Sequence, residues 1–512
     1  MIRWPALLLL PAAAFLAWWS LHNPLPDGFQ NESLHVGNAY DLWGALRDGD
    51  LWHIRWYMYT GYWPWGFYAL AWPLLAVTDL SMGALLATNL VHLGVLLWAA
   101  GRLGRVFSAP LAPALVLLCP ATFGALVRYE PNLANLAWVL AGLALLVESQ
   151  GLRSRPHVLG FGLVFGLGLM FDRLTVAFFL GPALLPLLWA HGRQPRARAN
   201  LALAAGLTLL LTAAWYREFF SRHMGELTSQ VGAGEIDSAG HLEETGGLVP
   251  PLYYLFTLLD TQAGPLLGLA LIGGLVLAAR KAGRSAAAPE WPLIAAAGLP
   301  LLLFTFIAKK QAYYTLPALG PLAVLAAARP RLAGLGLVGG LLAFATLGTG
   351  WLPANRLAGP ALPEALVSPR HTLARPPSFE DWPLPAALTA LGEGGPPVQI
   401  AVLSEDEGLF EGFVVLAARE RWPRAAVRGV IGDPVGTYEL FDEIDALLTI
   451  HPRGAGWPDE RRILLQLVAD RYDARDLPPL APRVAGGRAG FVQVGQQQTE
   501  LLDLIAWRRR EP

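Results

Sequence analysis

Carboxylates and aromatic rings crowd one stretch of this chain. Between Leu25 and Tyr68 lie Asp27, Glu32, Asp41, Asp48 and Asp50, against Arg47 and Arg55 as fixed positive charges. Tyr62, Trp63, Trp65 and Tyr68 close the stretch. A carboxylate can take the proton of a hydroxyl as general base. Glu32 is the first candidate. It opens a predicted helix, ESLHVGNAYDLWGALRDGD, in which Leu34, Ala39, Leu42 and Leu46 form an apolar stripe. Such a stripe would lay the helix along a membrane surface and turn Glu32 toward the lipid–water boundary. The same position suits a first-turn acid that answers the helix dipole. Asp27 is the second candidate, and before Gly28 it also reads as a turn residue.

Two other groups carry usable chemistry. Arg128-Tyr129-Glu130-Pro131 joins two apolar runs. Glu130 can orient a sugar or a cation there, or simply start the next helix with Pro131 at its first position. Lys309-Lys310, followed by Tyr313 and Tyr314, is the strongest basic feature outside the arginine clusters described below. An anionic ligand such as a phosphate would explain it, and so would lysines reaching for lipid phosphates. Asp172-Arg173 reads as an ion pair or a turn pair rather than a site. Asp27, Glu32 and Glu130 offer oxygen ligands, which leaves room for a divalent cation as cofactor.

These residues need a frame, and composition supplies one. The 512 residues are 54% hydrophobic and 15% charged, against about 25% charged in a soluble domain. The deficit falls in the first two thirds of the chain, so a polytopic membrane region precedes a polar one. The single cysteine, Cys119, excludes a disulfide within the chain and a cysteine metal cluster. MIRWPALLLLPAAAFLAWWS has the make-up of a signal peptide but shows no small-x-small cleavage site, and reads as an uncleaved first transmembrane helix.

Apolar runs recur at 4–21, 82–101, 108–125, 132–148, 157–171, 174–190, 199–216, 263–279, 291–307, 313–328 and 332–350. Arginine and lysine cluster at 102/105, 153/155, 193/196/198, 280/281/284 and 329/331. The positive-inside rule puts all five clusters in the cytoplasm. The stretch 63–78 must then lie at the outer interface or re-enter. The outer face receives the loop 22–81, the turns at 128–130 and 172–173, the loop 217–262, Lys309-Lys310 and everything after Trp351. The expected fold is a polytopic α-helical membrane protein of about eleven spans, followed by a small soluble α/β domain.

After Trp351 a Pro-rich linker leads to residue 390, and the α/β domain fills 391–512. VQIAVLS, AVRGVIG, ALLTIH and GFVQVG read as strands, with LFEGFVVLAARER and DERRILLQLVADRY as helices between them. That alternation predicts a mainly parallel sheet. Asp406, Asp433 and His451 near strand ends are weak site candidates.

The order of these features resembles the GT-C superfamily of membrane glycosyltransferases, in particular the family 39 ArnT-like group, which includes the dolichyl-phosphate-mannose-protein mannosyltransferases. Asn31-Glu32 followed by Asp48-Gly49-Asp50 resembles that group's Asp-Glu pair and Gly-Asp turn. Tyr62-Trp63-Pro64-Trp65 stands where the group has a Tyr-Pro-Pro-Leu type segment, Glu130 where it has an acid before a membrane helix, and KKQAYYTLP where it has a basic residue before Tyr…Leu-Pro. The resemblance covers residues 1–350. It implies transfer of a sugar, with inversion, from a polyprenyl-phosphate donor to a hydroxyl of a protein, lipid or glycan acceptor at the outer face of the cytoplasmic membrane. It implies a base in the first loop and basic groups on the departing phosphate. Arg128, Tyr129, Glu130, Tyr62, Lys309, Lys310 and Tyr313 become substrate-binding candidates, and Asp27 and Glu32 catalytic ones. One departure stands out: Asn31 occupies the position of the group's basic Asp, which passes the role to Glu32 or Asp27, or removes it. A transporter or flippase for lipid-linked saccharides, or a non-catalytic relative, is the alternative. High Ala, Gly, Leu, Arg and Pro content points to a GC-rich bacterial source.

Overall fold

The computed structural model describes residues 7–22, 30–60, 63–78, 81–232, 249–285, 288–306, 312–349, 384–392, 399–404, 426–429, 446–452, 491–498 and 502–509. The chain divides into two compact units. The first comprises Met1–His22, Leu42–Val77 and Gly83–Pro376, and the second Asn23–Asp41, Thr78–Met82 and Pro377–Pro512.

The first unit is helical. It opens with α1 (Leu9–His22). The helix α2 (Gln30–Arg47) begins in the second unit and ends in the first. Asp48-Gly49-Asp50 turns the chain, with Gly49 at φ 72, a left-handed value that favours glycine. Asp50 Oδ1 then accepts the His53 amide at 3.0 Å and caps α3 (Leu51–Thr60). The stretch 63–78 folds as two short helices, α4 (Gly66–Ala69) and α5 (Trp72–Thr78). Neither is long enough to span a bilayer.

Longer helices follow. They are α6 (Met82–Val106), α9 (Asn132–Glu148), α10 (Arg155–Phe171), α11 (Thr175–His191) and α12 (Pro195–Gly232). Between α6 and α9 the expected span 108–125 is instead two short helices, α7 (Ala112–Leu117) and α8 (Pro120–Leu126). The break has a local cause. A residue before proline is pushed out of the helical region, and Cys119 before Pro120 is extended, with ψ 119. The 217–262 loop is also partly helical, because α12 runs on to Gly232 and α13 (Val249–Thr257) precedes a π-helical turn, Leu258–Gln262. The remaining helices are α14 (Pro265–Ala282), α15 (Trp291–Phe306), a 3-10 helix at Ala312–Ala318, α16 (Leu319–Ala327) and α17 (Pro330–Thr349).

Among the described residues three helices are long and apolar enough to cross a membrane: Met82–Val106, Pro195–Phe220 and Pro265–Ala282. Shorter apolar helices accompany them, including Leu9–Ser20, Asn132–Glu148 and Thr175–His191. Their outward residues are themselves apolar, as Leu209, Leu210 and Phe306 show. The apolar helices and their lipid-like surface make this a membrane protein.

The second unit contains a five-stranded sheet in the order β2-β1-β3-β5-β4. Its strands are β1 (Gln399–Ser404), β2 (Ala426–Gly429), β3 (Ala446–Pro452), β4 (Phe491–Gln498) and β5 (Leu502–Arg509). β1 pairs in parallel with β2 and β3. β5 lies antiparallel to both β3 and β4, so the sheet is mixed rather than mainly parallel. The reason is β5, whose LDLIAWRR alternates too weakly to stand out beside an Arg-rich tail. Helix α18 (Leu384–Gly392) packs on β4 and β5 and buries Ala387, Leu388 and Leu391. It begins inside the stretch expected to be linker. The two predicted helices at 409–421 and 459–472, and Asp406 and Asp433, lie outside the described residues.

Helices in the first unit approach closely where glycine permits it. A Cβ on Gly162 of α10 would stand 2.6 Å from the Ala204 carbonyl oxygen of α12, whereas one on Gly206 of α12 meets nothing within 4 Å. Gly162→Ala should therefore destabilise the protein by about 1–3 kcal/mol through overpacking. Gly206→Ala should be neutral or stabilising by up to about 1 kcal/mol through helix propensity. Thermal melts of the two purified variants in one detergent check the contrast.

Candidate active site

At one end of the helical unit, two turns and a short helix pack together. The first turn is Arg128-Tyr129-Glu130, between α8 and α9. It runs without helical hydrogen bonds, so its carbonyls need other donors. Asn89 of α6 supplies them: its Nδ2 donates to the Leu126 oxygen at 2.9 Å and to the Arg128 oxygen at 2.7 Å. Arg128, Tyr129 and Glu130 are all buried. The Tyr129 ring stacks on Phe67 of α4 with centroids 4.8 Å apart. Glu130 Oε2 accepts a hydrogen bond from Asn132 Nδ2, which fixes the carboxylate at the start of α9.

The second turn, Asp172-Arg173, joins α10 to α11. Asn135, one turn into α9, donates to Asp172 Oδ2 at 2.6 Å, and the Arg173 amide donates to Asp172 Oδ1 at 2.8 Å. The carboxylate is thus held by an amide side chain and its own turn. The Arg173 guanidinium lies over the Trp63 ring, 4.0 Å from its centroid, a cation–π contact. Tyr216 of α12 donates to the Arg173 carbonyl. Gly66 lets α4 close on this turn, since a Cβ there would sit 2.6 Å from the Met170 oxygen.

Beneath both turns His92 of α6 accepts a hydrogen bond from Trp138 Nε1 at Nδ1, 3.2 Å away. It stacks on Phe67 and meets Phe171 edge-on. Asn89 and His92 are one helical turn apart on α6, and Asn135 and Trp138 one turn apart on α9. A polar seam therefore runs between apolar helices, where unsatisfied polar groups are costly. It holds the two turns in a fixed relation.

A second cluster surrounds Tyr313. The π-helical turn and the 3-10 helix are joined by Gln262 Nε2 donating to Thr315 Oγ1 at 3.0 Å, and both side chains are buried. The Tyr313 ring stands edge-on to Tyr314, which packs on Phe304. Phe304 in turn meets Tyr254, Phe178 and Phe179. The 3-10 helix packs against α9, the helix that Glu130 begins.

In the second unit Glu32 lies in the first turn of α2, as expected. The carboxylate is fully buried, however, and does not face an open boundary. Its neighbours on the helix explain why: His35, Val36, Ala39 and Tyr40 are buried too, so α2 is packed on more than one stripe. Asp27, Tyr62, Lys309 and Lys310 lie outside the described residues. Among the described residues no three His, Cys, Asp or Glu side chains gather as a metal site.

The structure thus brings Arg128, Tyr129 and Glu130 together with Asp172 and Arg173, and adds residues that spacing alone does not identify. Asn89, His92 and Asn135 carry a signal in the sequence, since each is a polar residue in an apolar run, where such residues are expensive. Thr315, inside the apolar run 313–328, carries the same signal, and Gln262 carries none.

Helices of this order, with short helices in the first loop and a terminal sheet, also make up solved ArnT structures. Two that share the fold are ArnT from Cupriavidus metallidurans bound to undecaprenyl phosphate, and the same protein in the apo state. The first has a TM-score of 0.59 at 14% identity and covers 99% of this chain and 98% of its own. The second has a TM-score of 0.58 at 16% identity, covering 98% and 97%. No protein-family model and no curated protein matches the sequence.

Asn89 offers the sharpest test of how the first turn is held. Asn89→Leu should lower stability by about 1–3 kcal/mol, because two buried carbonyls lose their donor. Asn89→Asp should cost at least as much, since a carboxylate oxygen would face carbonyl oxygens. Thermal melts in detergent, with limited proteolysis, give the measurement.

Proposed function

We propose that this protein is a bacterial membrane glycosyltransferase that moves a sugar from a polyprenyl-phosphate donor to a hydroxyl acceptor. The observation that carries the proposal is the fold, shared over nearly the whole of both chains with an ArnT structure bound to undecaprenyl phosphate. The reaction takes place at the outer face of the cytoplasmic membrane and inverts the anomeric centre. In this reading the helical unit crosses the membrane about eleven times, ten crossings made by the long and shorter apolar helices among the described residues and one by α7 and α8 taken together. The soluble α/β domain, which takes in α18 and so begins by Leu384, follows the Pro-rich linker on the non-cytoplasmic side.

The chemistry is a single displacement. The acceptor hydroxyl oxygen attacks the anomeric carbon, the carbon–oxygen bond to phosphate breaks, and the polyprenyl phosphate departs with the bonding pair. Glu32 or Asp27 takes the hydroxyl proton. Lys309 and Lys310 meet the charge that develops on the leaving phosphate, where fixed positive groups contribute most. Tyr313 and Tyr62 line the donor site. Arg128, Tyr129 and Glu130 orient the sugar, and the buried hydrogen bonds from Asn89 and Asn132 make that orientation rigid. A divalent cation, if one takes part, would be held by carboxylates such as Asp27, Glu32 and Glu130.

One observation favours a second reading. Asn31 stands where the group's base is an Asp, and an amide does not accept a proton at neutral pH. A flippase or a non-catalytic carrier of lipid-linked saccharides would tolerate that change.

Transfer of a labelled sugar from polyprenyl-phosphate donors in proteoliposomes separates the two. The wild type should transfer. Glu32→Gln or Asp27→Asn, whichever removes the base, should reduce turnover about 10²–10⁴-fold. Lys309→Ala with Lys310→Ala should reduce it about 10²–10³-fold. Lipid binding without transfer by the wild type would sink the transferase reading and favour the carrier.

A further inference from the structure

Five arginines converge at the end of the helical unit opposite the two turns. The loop between α9 and α10 is tight: Gln150, Gly151 and Leu152 all have positive φ. It packs on the turn between α11 and α12. Asn200 Nδ2 donates to the Leu152 and Arg153 oxygens at 3.0 and 3.1 Å, and Arg153 Nε donates to Gln194 Oε1 at 2.7 Å. A Cβ on Gly151 would stand 2.7 Å from His191. This joins Arg153 and Arg155 to Arg193, Arg196 and Arg198, which lie apart in sequence. All five are exposed.

Among the described residues no ion pair engages these five arginines. No Asp or Glu occurs in 149–171 or in 173–217. The nearest acid by chain, Glu148, is taken by Arg102, with His157 Nε2 at 3.6 Å from the same carboxylate. Arg198 is partly used in holding the Gly192 oxygen. Directly below the patch, on α11, Trp189 is 87% exposed and Leu185 57% exposed. The membrane-length segment Pro195–Phe220 begins at the patch.

We propose that this patch binds the headgroups of anionic phospholipids in the leaflet it faces. The arrangement fits a phosphodiester at a bilayer surface in three respects. Guanidinium groups present paired donors that match phosphate oxygens. Their convergence at helix ends puts positive charge at headgroup depth, where anionic lipid is attracted. The exposed Trp189 and Leu185 need acyl chains and glycerol around them, which a soluble anion does not supply. The inference does not depend on the transferase reading, since none of these residues belongs to the candidate site.

Reconstitution of the full chain into nanodiscs of equal phosphatidylglycerol and phosphatidylcholine tests it. After mild detergent extraction, native mass spectrometry counts the lipids that stay bound. The wild type should retain phosphatidylglycerol in preference, and less so at high salt. Arg153→Gln, Arg193→Gln and Arg196→Gln combined should abolish the preference, with each substitution reducing retention roughly fivefold at low salt. Arg193→Lys with Arg196→Lys should keep part of it. Equal retention of the two lipids by the wild type would overturn the proposal. So would undiminished preference in a triple variant that melts like the wild type. If the triple variant does not fold, a wild-type preference insensitive to salt overturns it instead.

Discussion

The geometry of the first turn rests on one amide. Between Leu126 and Pro131 the chain leaves one helix and starts another at the edge of an apolar bundle, where water cannot be relied on to satisfy backbone carbonyls. Asn89 reaches across from α6 and donates to two of them. Without that donor the turn would have to close into a helical end or admit solvent. With it, Arg128, Tyr129 and Glu130 are presented as a set, and α9 starts where Glu130 and Asn132 hold each other. Asn135 repeats the device one turn further on, for Asp172. Two asparagines thus convert a stack of apolar helices into a scaffold with a defined polar end.

The aromatic segment acts on the same end from the outside. Trp63 covers Arg173 and Phe67 covers Tyr129, while Gly66 permits the approach. A short helix without the length to span is thereby fixed by one cation–π contact and one ring stack. Rings of this kind bring large contact area at little entropic cost. They hold the segment rigidly against the two turns.

Much of this fold is legible in the sequence, and the illegible parts have identifiable causes. Long apolar runs such as 82–101 and 132–148 become helices because nothing else satisfies a backbone in lipid. The run 108–125 misleads because hydropathy outweighs the proline rule, yet Pro120 dictates the break at Cys119. The strands β1 to β4 stand out by their β-branched residues, whereas β5 hides beside arginines and α18 beside prolines. For the site, residue types near Arg128 and Asp172 show that chemistry or ion pairing is available there. Only the structure shows that Asn135 ties the two turns and that the Arg173 side chain turns to Trp63. Glu32 illustrates the limit from the other direction. Its place in the helix follows from the sequence, but its full burial does not.

The π-helical turn at Leu258–Gln262 has a consequence for kinship. An α-helix advances about 100° per residue, so one surplus residue wound into a wider turn shifts the angular phase of whatever follows it. Tyr253 and Gln262, nine residues apart, would fall on opposite faces of a regular helix, and the wider turn changes that relation. A chain can gain or lose such a residue and still return to the same packing after Gly264. A relative with one residue fewer at this turn would keep the same helices on either side of it.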